Sequence, residues 1–291
     1  MATILDGKTV SQKVKDTLKE KVATVTPKPG LAVVLVGEDP GSIVYVNNKE
    51  KACKEIGYVS KKIVLSETTD EKTLLQTVAD LNADPTIHGI LVQFPLPKNL
   101  AHLEEKIINA ILPEKDVDGF HPTNVGKYMT CKGSVCSNLF LPCTPAGIME
   151  LLHVYNIQVA GKDAVILGRS NLVGKPIGML LLGEDATVTF CHSKTKNIKA
   201  ATKQADILVV AIGKPNFVDA SFVKEGAVVI DVGINRLESG LVGDVDFASV
   251  SPVASAITPV PGGVGVMTIA MLMQNVWKAY QLQTRREETN A

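Results

Sequence analysis

The sequence has no excess charge of either sign: 30 Lys and Arg stand against 30 Asp and Glu in 291 residues, for a formal net charge of zero. Such a chain has no global field to gather nucleic acid or anionic lipid, so neither is expected as a partner. Any anionic ligand must be held by a local site. Long apolar runs are also missing. The longest, such as 207–212, has the length of a strand and cannot span a bilayer. The start, M-A-T-I-L-D-G-K-T-V, lacks the basic and then apolar order of a secretory signal, and the Asp6-Gly7 turn speaks against a transit peptide. A soluble, cytoplasmic protein is expected. Cysteine is scarce, with five residues and no C-x-x-C pair. The odd number argues against a closed disulfide framework, so reduced thiols are expected. Cys131, Cys136 and Cys143 form the densest group, but their spacings match no zinc pattern, and no metal is expected. There is no internal repeat and no low-complexity tract.

What remains is an ordinary globular composition, 45% hydrophobic and 21% charged, at a length suited to one large or two ordinary domains. Short apolar segments alternate with amphipathic ones, which implies α/β architecture: parallel strands with helices on their faces. Strands are expected at 31–36, 63–65 and 90–93, with a helix from the Asp39-Pro40-Gly41-Ser42 turn to Gly57 and another over 69–82. The stretch 114–141 has no periodicity and reads as a long functional loop. Thr144-Pro145 reads as a helix start, Thr as N-cap and Pro in the first turn. Four further strands, 164–167, 187–191, 206–211 and 227–231, recur at the spacing of a Rossmann-type domain. The last helix has no local strand to pair with and is expected to return to the first domain. The expected division is therefore 1–143, completed by helix 265–291, and a dinucleotide-binding domain at 144–264.

The turn after 164–167 reads Gly168-Arg169-Ser170-Asn171-Leu172-Val173-Gly174-Lys175-Pro176. A glycine-rich strand-to-helix turn lets backbone N–H groups and a helix N-terminus approach a pyrophosphate. The spacing is neither G-x-G-x-x-G nor a Walker A loop, and a plain packing turn is the competing reading. The end of the following strand discriminates further. An NAD site places a carboxylate about 20 residues on, for the ribose hydroxyl. Here Cys191-His192-Ser193-Lys194 offers none. Arg169 and Ser193, with Lys194 near, suit a 2′-phosphate instead, which favours NADP. His192 reads as a polar strand end.

Tyr45 and Lys49 lie four residues apart on one helical face that continues through Ala52 and Ile56. A lysine in an inward stripe is costly unless its charge is matched or its pKa falls. Lys49 is thus a candidate for proton transfer, with Tyr45 placed to hydrogen-bond it, although a lysine snorkelling from a helix edge fits the same pattern. Gln93 ends an apolar strand before Phe94-Pro95-Leu96-Pro97. Asp116 and Asp118 lie in a turn-rich loop, where Asx-turn chemistry is the alternative to a ligand-binding role.

Five motifs, Y-V-N-N-K-E-K-A-C, G-I-L-V-Q-F-P-L-P, P-E-K-D-V-D-G-F-H-P, V-I-L-G-R-S-N-L-V-G-K-P and I-T-P-V-P-G-G-V-G, stand in one order along the chain. Together they resemble the bifunctional methylenetetrahydrofolate dehydrogenase/methenyltetrahydrofolate cyclohydrolase family, from about Leu5 to the final helix. The resemblance implies two activities, NADP-dependent oxidation of 5,10-methylenetetrahydrofolate and hydrolysis of the methenyl product to 10-formyltetrahydrofolate. It implies Lys49 as the key cyclohydrolase residue, with Tyr45 and Gln93 beside it and Asp118 on the pterin ring. Cofactor contacts are implied at Gly168, Arg169, Ser170, Gly174, Ser193 and Ile234, and substrate contacts at Tyr45, Asp118, Pro261, Gly262 and Gly263. A homodimer is implied too, as is a place in the one-carbon supply of purine, methionine and histidine biosynthesis. One departure stands out: Val266 replaces the family's proline, whose ring would have pre-set φ at the start of the last helix. The competing functions are a shikimate-type dehydrogenase with a catalytic lysine and a folate or NADP binder without chemistry.

Overall fold

The computed structural model describes residues 2–238 and 240–290. In chain order its strands are β1 (Thr3–Ile4), β2 (Gly30–Val36), β3 (Val59–Leu65), β4 (Gly89–Val92), β5 (Asp163–Leu167) and β6 (Thr187–Cys191). They continue as β7 (Ile207–Val210), β8 (Val228–Asp231), β9 (Asn235–Leu237), β10 (Gly240–Val242) and β11 (Ala256–Ile257). The α-helices are α1 (Gly7–Ala23), α2 (Pro40–Ile56), α3 (Glu71–Ala83), α4 (Glu104–Ala110) and α5 (Pro122–Thr130). After them come α6 (Cys143–Val154), α7 (Gly174–Gly183), α8 (Ile198–Thr202), α9 (Phe247–Val250) and α10 (Val264–Asn290). The chain forms two compact units.

One unit comprises Lys13–Lys127, Asn138–Leu141 and Leu272–Ala291. Its parallel sheet has the order β3-β2-β4. Every residue of β2 is buried, as a central strand covered on both faces requires. Ala32, Val34 and Val36 of β2 pack with Leu74, Val78 and Leu81 of α3 and with Ile90 and Val92 of β4. Each such Val, Leu or Ile side chain contributes about 1.5–3 kcal/mol of burial. α2 starts where Asp39 accepts the Ser42 N–H at 2.8 Å, with Pro40 in the first turn, and stops at Gly57 in the left-handed region. The capping bond holds the Asp39 carboxyl below its usual range.

The other unit comprises Met1–Gln12, Tyr128–Ser137 and Pro142–Met271. Its six-stranded sheet runs β1-β11-β8-β7-β5-β6, all parallel. Val165, Leu167, Leu208, Val210 and Val229 fill its core with Phe222, Val245 and Ile257. β9 and β10 form a separate antiparallel hairpin.

The sequence boundaries shift in several places. β1 pairs with β11, so the first residues join the six-stranded sheet rather than the first domain. α10 supplies both units: its residues through Met271 belong to one and those from Leu272 to the other. Its later part returns as expected. Asn275 Nδ2 donates to the carbonyls of Val117 and Leu141 at 2.8 and 2.9 Å, and Gln283 Nε2 to those of His88 and Glu114 at 2.8 and 3.1 Å. The stretch 114–141 is not wholly irregular, for it holds α5 and a 3₁₀ segment, Gly133–Asn138. Thr144 is not an N-cap. α6 begins two residues earlier, with Pro142 at the cap, and the Thr144 hydroxyl bonds that of Thr268 at 3.0 Å. The thiols are not all reduced either. Cys131 and Cys136 are joined in a disulfide across Cα atoms 5.4 Å apart, a separation such a bridge spans without moving the backbone. Cys53, Cys143 and Cys191 are free and buried. No helix among the described residues is long and apolar enough to cross a membrane.

Candidate active site

In the three-stranded sheet the chain leaves β2 for β3 on one side and returns to β4 on the other. The carboxyl ends of β2 and β4 therefore border the switch point, where open α/β sheets hold ligands. α2 follows β2, and Gln93 follows β4. The Lys49 ammonium nitrogen donates to Gln93 Oε1 at 2.8 Å, and Gln93 Nε2 donates to the Phe94 carbonyl at 2.7 Å. The second bond fixes the amide so that its oxygen faces the lysine. Both side chains are half-buried. A charge-assisted bond of this kind is worth roughly 1.5–3 kcal/mol.

The inward face of α2 consists of Ser42, Val46, Ala52, Cys53 and Ile56. Half-buried Lys49 falls within that face. Tyr45 lies outside it, 49% exposed, which corrects the expectation that Tyr45 and Lys49 share an inward stripe. Burial pushes the Cys53 thiol on this face up to about 12, so it is inert as a nucleophile.

The loop carrying the two aspartates divides its labour. Asp116 is buried and accepts N–H groups from Gly119, Phe120 and His121 at 3.1, 3.4 and 2.9 Å, and the Asn124 amide at 2.9 Å. A bridge to Ile90 ties it to β4. Asp116 thus carries the turn chemistry that the sequence left open for either residue. Asp118, half-buried, stands in the loop that Asp116 holds.

In the six-stranded sheet the switch point falls between β5 and β7. Gly168 follows β5 with φ of 134°, and a Cβ there would lie 2.3 Å from the Ala211 carbonyl oxygen, so only glycine fits. Ser170 Oγ closes the turn by accepting the N–H groups of Val173 and Gly174 at 3.1 and 3.3 Å. Gly174 then opens α7, and Pro176 occupies its first turn. Leu167 of β5 pairs with Cys191 of β6, so Arg169 and Ser193 each stand two residues past paired positions on adjoining strands. Both are exposed, as is Lys194. An exposed guanidinium and hydroxyl so placed suit a phosphate monoester. His192 takes the bland role: its Nδ1 accepts the Lys194 N–H at 3.2 Å. Ile234, 50% exposed, follows β8. In the loop before α10, Pro261 is exposed and Gly262 and Gly263 are buried, and Val266 is the third residue of that helix.

Two buried carboxylates in this unit escaped the sequence reading, Asp231 at the end of β8 and Asp244 beyond the β9–β10 hairpin. Asp231 does end an apolar strand, as Gln93 does, and that was the available signal. Asp244 had none.

These features define a two-domain α/β enzyme with a lysine–amide pair at one switch point and a dinucleotide-type turn at the other. Comparison with known proteins gives its family. Residues 5–118 match the catalytic domain of tetrahydrofolate dehydrogenase/cyclohydrolase, and residues 142–284 match the NAD(P)-binding domain of the same enzyme. The bifunctional protein FolD of Halalkalibacterium halodurans is 55% identical over 281 residues, 96% of this chain and 98% of that protein. The crystal structure of the bifunctional FolD enzyme of Campylobacter jejuni superposes with a TM-score of 0.92 at 50% identity, covering 97% of this chain and 99% of its own. The Trypanosoma brucei dehydrogenase-cyclohydrolase, solved with NADP cofactor and inhibitor, gives 0.90 at 35% identity over 98% and 99%. The chain belongs to the tetrahydrofolate dehydrogenase/cyclohydrolase family. It is an enzyme of one-carbon folate interconversion, and the shikimate-type and non-catalytic alternatives fall away.

Proposed function

We propose that the chain oxidises 5,10-methylenetetrahydrofolate to the methenyl form with NADP and hydrolyses that product to 10-formyltetrahydrofolate, with Lys49 as the proton-transfer residue of the hydrolysis. The Lys49–Gln93 hydrogen bond at the β2–β4 switch point carries this reading. Bound NADP supplies the hydride acceptor for the oxidation, and the product cation is shared by two nitrogens, so that step needs positioning rather than a strong base.

Hydrolysis is different. Water must lose a proton as it adds to the methenyl carbon. To take that proton the Lys49 ammonium must first give up one of its own, which also removes repulsion with the cationic carbon, and the bond to Gln93 holds the nitrogen in place as it does so. Gln93 orients the amine, and Tyr45, one turn before Lys49, borders the same substrate. Asp118 accepts the amino and N–H edge of the pterin, a pair of donors that suits a carboxylate. Pro261, Gly262 and Gly263 line the substrate's path. Gly168, Ser170, Gly174 and Ile234 contact the dinucleotide, with Arg169 and Ser193 on the 2′-phosphate. The unit built from Lys13–Lys127, Asn138–Leu141 and Leu272–Ala291 acts as the folate-binding part, and the unit with the six-stranded sheet as the dinucleotide-binding part. The enzyme works as a cytoplasmic homodimer.

The test is spectrophotometric. The purified protein should form NADPH from methylenetetrahydrofolate and consume methenyltetrahydrofolate without added cofactor. Arg169→Ala should raise the KM for NADP far more than that for NAD. Equal effects on both cofactors would remove the 2′-phosphate from Arg169.

A further inference from the structure

Asp244 is fully buried, and its carboxylate is saturated. Oδ2 accepts the N–H groups of Ile212 and Gly213 at 2.7 and 2.9 Å, and Oδ1 accepts the Lys214 N–H at 2.8 Å and Asn235 Nδ2 at 2.9 Å. Three successive backbone donors turned toward one point form an anion nest, filled here by a side chain of the protein itself. A second carboxylate braces the first. Asp231 Oδ1 accepts the Asp244 N–H at 3.0 Å and the Gly233 N–H at 2.9 Å, and Oδ2 accepts the Val245 N–H at 2.9 Å. A Cβ on Gly243 would lie 1.8 Å from Asp231 Oδ2, so the chain can approach only as glycine.

The partners fall in one region. Those of Asp244 are the segment after β7 and Asn235, which opens the hairpin after β8. Those of Asp231 lie in the segments just before and after that hairpin. No helix interior is tied, and a buried carboxylate is a poor general stabiliser compared with apolar packing. The segments held are the ones that border the β5–β7 switch point. Ala211, directly before Ile212, receives the close approach of Gly168 in the dinucleotide turn. Ile234 lies between Gly233, held by Asp231, and Asn235, held by Asp244.

We propose that Asp244 is a positioning residue of the dinucleotide site, setting the shape of the segment 212–214 as one wall of the crevice, with Asp231 as its brace. The proposal rests on the reading of this unit as the NADP site. Removing the carboxylate frees three N–H groups to turn, and the wall facing the cofactor loses its shape, while the Lys49 chemistry of the other unit has no part in the nest. Asp244→Asn should be intermediate, because its remaining oxygen can serve Ile212 and Gly213 while Asn235 turns its own amide to accept from the new one.

The experiment measures NADP and NAD dissociation constants by calorimetry for the full-length protein and for Asp244→Ala, Asp244→Asn and Asn235→Ala. Cyclohydrolase turnover of methenyltetrahydrofolate, which needs no cofactor, and thermal melts are recorded on the same samples. The expected result is an NADP Kd raised at least tenfold in Asp244→Ala and less in the other two, with cyclohydrolase kcat reduced less than threefold. An unchanged NADP Kd in folded Asp244→Ala, or parallel loss of binding and cyclohydrolase across all three variants, overturns the proposal. Failure of the parent protein to bind NADP would instead overturn the cofactor reading on which it rests.

Discussion

Lys49 owes its place to two neighbours rather than to burial alone. The half-buried amine on the inward face of α2 meets an amide that a bond to its own chain holds in one orientation. The lysine was legible because a cation recurring at i, i+4 with a tyrosine stands out in a helical pattern. The exposure of Tyr45 was not: the buried residues of α2, Ser42, Val46, Ala52, Cys53 and Ile56, include the expected Ala52 and Ile56 but not Tyr45. Turn chemistry alone did not separate Asp116 from Asp118, since either can make an Asx turn, and only the resemblance singled out Asp118; the four bonds to Asp116 assign the turn to it. At this scale Asp118→Ala should weaken folate binding by roughly 1.5–3 kcal/mol, the range of a charged hydrogen bond. Titration of tetrahydrofolate binding to the variant checks this, and an unaltered Kd would take Asp118 out of the site.

Among the elements, most apolar strands were read within a residue or two because each is a short hydrophobic run closed by Gly, Pro or a polar residue, but β3 starts four residues before the expected 63, since Ser60, Lys61 and Lys62 break its apolar pattern. Helix α5 was hidden. Its buried positions are Asn124 and Tyr128, and the first is polar, held by the Pro113 carbonyl and Asp116, so no apolar period marks it. The start of α6 was misread because Thr144 has a partner 124 residues away in Thr268. The same distance problem hid Asp244, whose partners are backbone amides about 30 residues earlier. His153 of α6 pairs with Glu184, the residue that ends α7, with Nε2 2.8 Å from the carboxylate. The Glu184 carboxylate raises the imidazole pKa above its ordinary value. A raised folded-state pKa gives stability that is complete below the unfolded value near 6.5 and is lost as pH rises through the folded one. The His153→Gln variant should therefore melt below the parent at pH 5.5 and close to it at pH 9. A Tm difference independent of pH would show that the pair's charge contributes nothing.

At the scale of the whole chain, two parallel sheets build two units, and a single C-terminal helix contributes residues to both. The order of five motifs made the family legible. The membership of β1 in the six-stranded sheet was not, because a two-residue strand leaves no pattern and pairs with residues near 256. The central claim is that the two activities draw on different groups, hydrolysis on an amine and oxidation on positioning alone. Lys49→Met tests it most directly, with both activities measured on one preparation. Cyclohydrolase turnover should fall at least about a hundredfold further than dehydrogenase turnover, the lower range of a lost acid–base group. Hydrolysis of methenyltetrahydrofolate at the parent rate by this variant would contradict the account.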